Sequence, residues 1–189
     1  MEFISELRPI DLFVVLCLAA GVFAGFTQGI IRTALNCLVV LVAFVVASIL
    51  RDPLFDLLTF WQAFSPELRL EIVYLVLFIV VLVGGWFAVR SIWQRSRLPI
   101  PKQLDEIGGA ILGVLFAAMT ITFLMVVLDA FFTTAPDAAT AQAGVLRSFY
   151  MAMNESVLVD FFRAALLPFF AVILRPLLPE DIAELLVAP

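Results

Sequence analysis

Apolar side chains run nearly unbroken from Asp11 to Leu50, and the main interruption is the polar cluster Thr27, Gln28, Gly29 and Arg32. One straight helix of that length would reach about 60 Å, twice the hydrocarbon thickness of a bilayer. The stretch therefore predicts two membrane-crossing helices, over residues 11–27 and 31–50, joined by a glycine-notched turn. Along the first, Gly21, Gly25 and Gly29 recur every four residues and form a bare stripe on one face. Such a stripe lets another backbone approach closely, the packing device open to helices in lipid.

Asp52-Pro53 then reads as a start signal, an acidic cap with proline at the first helical position. It predicts a short interfacial helix over residues 53–63, with Trp61 at headgroup level. Ser65-Pro66 repeats the signal ahead of a third span over residues 70–91. Leu104-Asp105 precedes a fourth over residues 106–128, in which Gly109, Gly113 and Ala117 form a second small-residue stripe. The expected caps are thus Asp11, Asp52, Ser65 and Asp105. Segment 130–143, polar and proline-containing, predicts a flexible loop. Residues 144–189 predict interfacial amphipathic helices with a break near Asn154-Glu155-Ser156, and Phe149, Phe161 and Phe162 are expected to face a partner. From Pro168 onward the apolar run is too short and too rich in proline for a fifth span, so it is expected to dip into the interface and return.

Composition makes lipid the solvent. Hydrophobic residues are 64% of the chain, charged residues 14%, and the mean hydropathy is +1.15, more apolar surface than a soluble fold can bury. The expected fold class is all-α, an integral membrane protein of four transmembrane helices plus interfacial amphipathic helices. The acidic start MEFISELRPID lacks the basic region and small-residue cleavage site of a signal peptide, so the apolar segments are expected to be retained. Cys17 and Cys37 fall inside apolar helices and read as buried small side chains.

Charge adds an orientation. Arg32 lies in the first turn, and Arg90, Arg95, Arg97 and Lys102 lie between the third and fourth spans. Those short loops are therefore expected in the cytoplasm and both termini outside. The net charge of −5 is concentrated on the outer side, which argues against nucleic acid as a partner.

The chain has no histidine. No paired buried carboxylate, phosphate-cradling loop or nucleophile elbow is visible either, so no catalytic residue, cofactor or metal ligand is assigned. Ionisable groups fall only near the ends of the spans, which leaves coupled transport without a visible carrier.

Ile10-Asp11 opening an apolar helix, the run Gly25-Phe26-Thr27-Gln28-Gly29-Ile30-Ile31-Arg32, and Leu104-Asp105 followed by Gly109 and Gly113 resemble the bacterial colicin V production protein family. The resemblance runs through all four spans and weakly into Glu155-Ser156-Val157-Leu158. The chain departs from the family pattern at Thr27 and Gln28, where a basic residue is usual, and near Thr33, where an acid is usual. The resemblance implies a multi-pass protein of the bacterial inner membrane, linked to colicin V production and envelope homeostasis. Besides the bilayer, its expected partners are other membrane proteins or further copies of itself. A non-enzymatic scaffold or accessory subunit is the favoured reading, and an oligomeric channel or export conduit is the alternative.

Overall fold

The computed structural model describes residues 9–58, 63–93, 101–133 and 135–186, and among them every regular element is helical. In chain order these are α1 (Pro9–Gln28), α2 (Ile30–Leu57), α3 (Pro66–Trp93), α4 (Lys102–Phe132), α5 (Asp137–Gln142), α6 (Gly144–Asn154), α7 (Val157–Leu174), a 3-10 turn (Arg175–Leu177) and α8 (Glu180–Leu185). The first four long helices and α7 are each long and apolar enough to cross a membrane. Large apolar side chains such as Phe23, Val80 and Ile111 point away from the interior, as lipid-facing residues do. The chain is a multi-pass membrane protein.

The turn between α1 and α2 is one residue, Gly29, at φ 82° and ψ 168°. Only glycine adopts that backbone without strain. From there α2 runs back, yet α1 packs along α4 rather than on its own hairpin partner. The two small-residue stripes explain why. A methyl added at Gly21 would strike the Gly113 carbonyl, one at Gly25 the Gly109 carbonyl, and one at Gly113 the Gly21 carbonyl, while Ala117 stands against Gly21. Backbone therefore touches backbone along the whole seam.

α4 is the axis of the bundle, with 61% of its apolar window buried against 22% to 39% in the other long helices. Around its last third the core is aromatic: Phe44 stacks on Phe123 at 4.5 Å, Phe123 meets Phe170 at 5.2 Å, and Phe78 is buried in the same cluster. A second cluster joins Val14 of α1 to Met125 and Leu128 of α4, Met153 of α6 and Val159 of α7.

Three expectations fail, each for a physical reason. Asp52-Pro53 starts no interfacial helix, because α2 continues through Pro53 to Leu57. The proline forfeits one backbone hydrogen bond, but both flanks are tied down. Arg51 before it pairs with Asp181, and Phe55 after it lies under the Arg69 guanidinium at 4.5 Å. Segment 130–143 is not a free loop, since α4 extends to Phe132 and α5 buries Ala139 and Thr140. The tail does not break at Pro168 either. Leu167, Phe170, Ala171 and Leu174 form one buried face across it, so α7 continues and is a fifth helix of spanning length.

Length does not decide the course of α7, but its contacts do. Ser156 meets Asp11 in the first turn of α1, Phe170 meets Phe123 in the last third of α4, and Asp181 meets Arg51 near the close of α2. From Ser156 to Phe170 is about 21 Å of helix. All three partners nevertheless lie in one half of the bundle, so α7 crosses α4 obliquely and the chain returns to the end it left.

Candidate functional site

The charged side chains of the described residues gather at the two ends of this bundle. At the Gly29 end, Asp105 accepts a hydrogen bond from the Ile30 amide at 2.8 Å, and Asn36 donates to Gln28 at 2.8 Å. Asp105 therefore caps the start of α2. It was expected to cap its own helix, but α4 begins earlier, at Lys102, and leaves the Asp105 carboxylate in the first turn facing its neighbour.

The opposite end is richer. There the close of α2, the start of α3 and the close of α4 meet α6, α7 and α8. On α2, Ser48 donates to the Phe44 carbonyl at 2.8 Å, and its oxygen lies 2.8 Å from the Tyr74 hydroxyl of α3. One turn on, the Arg51 guanidinium donates to Asp181 of α8, has Asp52 at 3.3 Å, and stands 5.7 Å from the centre of the Tyr74 ring. Glu71 of α3 is buried beside them, within electrostatic reach of both Arg51 and Asp129.

Asp129 of α4 is the second centre. Arg163 of α7 donates to both of its oxygens, at 2.9 and 2.7 Å, and to Asn154 at 2.8 Å. The Tyr150 hydroxyl of α6 donates to it at 2.9 Å. Burial, and then the adjoining Asp129 charge and hydrogen bond, push the Tyr150 hydroxyl up to about 12, so at neutral pH it stays a donor. Ser156 completes the end: it donates to Asp11 at 2.6 Å while accepting from the Val159 amide at 3.3 Å, and so caps α7.

The residues singled out from sequence are distributed as follows. Gly21, Gly25 and Gly29 meet Gly109, Gly113, Ala117 and Asp105 in one seam. Ser65 precedes Pro66, and its hydroxyl accepts from the Leu68 amide at 3.4 Å. Asp11 is no terminal cap; it is fully buried in the first turn of α1 as the partner of Ser156. Asp52 lies inside α2 and is exposed beside Arg51. Phe149 is half-buried and packs edge-on against Phe13 at 6.5 Å, and Phe162 is half-buried against the second core cluster. Phe161 is 63% exposed. Trp61, Arg95 and Arg97 lie outside the described residues.

Sequence reasoning missed Arg51, Glu71, Tyr74, Asp129, Arg163 and Asp181, and it assigned no buried carboxylate, whereas Glu71 is buried and lies within electrostatic reach of Asp129. A signal was present: Glu67, Glu71 and Tyr74 follow the 4 and 3 spacing of one helix face, which puts a carboxylate on the side of α3 that the bundle must bury.

A family model described as Colicin V production protein matches residues 10–167, a stretch that takes in the glycine seam, the α2 cap and the Asp11–Ser156 and Asp129–Arg163 contacts. No curated protein and no solved structure matches the chain.

Proposed function

We propose that this chain, which belongs to the Colicin V production protein family, acts in the bacterial inner membrane as a non-catalytic scaffold or accessory subunit, with both termini and the Arg51 end outside. The observation that supports it is the closed interior between the two polar ends. Phe44, Phe78 and Phe123 are at most 1% exposed there, and Thr120 and Thr122 spend their hydroxyls on carbonyls four residues back in their own helix. Among the described residues a single copy thus offers neither a water column nor a chain of free polar groups for a solute to follow. The glycine stripes, which would suit a pore lining, are used up in the α1–α4 seam.

Contact with other membrane proteins falls to the outward faces, and α7 supplies one through Val157, Phe161, Phe169 and Val172. The reading is tested by reconstitution and by affinity purification in mild detergent. Protein free of partners is expected to give no ion or solute flux in liposomes, and a membrane protein is expected to co-purify with the wild type but to be lost from Phe161→Ser. Reproducible flux would replace the scaffold with a conduit. Retention of the partner by the variant would move the contact surface off α7.

A further inference from the structure

At the Arg51 end a pocket of ≈ 200 Å³ opens between α2, α3 and α4. Leu70, Phe131 and Tyr74 make its wall largely apolar, the Glu71 carboxylate is set into that wall, and the exposed Glu67 lines it too. Glu71 is 3% exposed, and its Oε1 has no hydrogen-bond partner among the described residues. Buried carboxylate oxygens are rarely left so, because dehydration is then uncompensated. Neighbouring cations do not supply the bond. Arg51 also lines the pocket, but it is drawn to Asp52 and Asp181, and Arg163 is held by Asp129. What is missing at Glu71 is a small positively charged donor.

We propose that this pocket binds a primary ammonium group, whose N–H bonds Glu71 Oε1 while its first carbons lie against Tyr74, Phe131 and Leu70. That chemistry is shared by the ethanolamine headgroup of a phospholipid and by a free alkylamine, and the pocket lies at the bundle end, where headgroups sit. A quaternary ammonium has no N–H to give and leaves Oε1 as bare as before. A hard metal ion wants six or more oxygen ligands, and a wall of leucine and phenylalanine does not provide them. Tyr74 and Phe131 also give the pocket aromatic lining, which favours an organic cation.

The test uses the full chain purified in detergent, in buffer free of amines. Calorimetric titration is expected to show saturable binding of ethylammonium chloride, with tetramethylammonium at least tenfold weaker. Glu71→Gln is expected to lower ethylammonium affinity at least tenfold. Ala135→Phe, which fills the pocket and leaves every ionisable group in place, is expected to do the same and guards against a folding defect in the first variant. Native mass spectrometry from phosphatidylethanolamine and phosphatidylcholine discs separates the sources. Selective retention of the ethanolamine lipid assigns a headgroup site, and equal retention alongside intact ethylammonium binding assigns a free amine. Equal affinity for the two cations, unchanged binding by Glu71→Gln, or no saturable binding in the wild type overturns the proposal.

Discussion

Gly29 is constrained twice, by a backbone angle that favours glycine and by the Asp105 carboxylate, which occupies the space a Cβ would need. Gly29→Ala is therefore expected to cost about 1–3 kcal/mol, and Asp105→Ala, which uncaps α2, about 0.5–2 kcal/mol. Thermal unfolding in detergent reads both, and a Gly29→Ala protein as stable as wild type would mean that the notch relaxes freely. Glu71 makes the opposite prediction. Glu71→Gln removes a buried charge and is expected to raise stability in amine-free detergent by on the order of 1 kcal/mol; a fall in melting temperature would show that the carboxylate is paired. At this scale the small-residue stripes were legible because their spacing is local. The Arg51–Asp181 and Asp11–Ser156 pairs were not, since their partners are 130 and 145 residues apart and no pattern within one helix points to either.

At the scale of elements, the long apolar runs and the Pro66 start signal read correctly, and two other prolines misled. Proline marks a helix boundary only when nothing on its far side needs the helix to continue, and at Pro53, read as a start, and Pro168, read as the close of the apolar run, tertiary contacts on both flanks do. The seam between α1 and α4 predicts that Gly25→Leu or Gly113→Leu costs at least about 1–3 kcal/mol, since a side chain must enter a backbone contact. Gly84 is the internal control, because a methyl there meets nothing within 4 Å. Gly84→Ala should be neutral or stabilising by up to about 1 kcal/mol, and equal losses at Gly25 and Gly84 would sink the seam. The oblique course of α7 has its own check. In a background with Cys17 and Cys37 replaced by alanine, cysteines at positions 155 and 180 are expected to react with an impermeant thiol reagent from the same side of the membrane. Labelling from opposite sides would make α7 a true fifth crossing.

For the molecule as a whole, hydropathy was enough to assign the solvent and the helical class, and the motifs around Gly29 and Asp105 carried the family resemblance. Hydropathy said little about which helix sits at the centre, because every span reads as apolar all round and the burial of α4 comes from partners distributed along the whole chain. The α1–α4 seam also imposes an order on the molecule's making. Gly25 and Gly113 are about 90 residues apart, and at about 5–20 residues per second the ribosome needs roughly 5 to 20 s to deliver the second after the first. Over that interval α1 has been written and its mate has not, so its glycine stripe has no α4 to close on. Newborn α1 must then be kept from pairing with the wrong helix until α4 follows it into the bilayer.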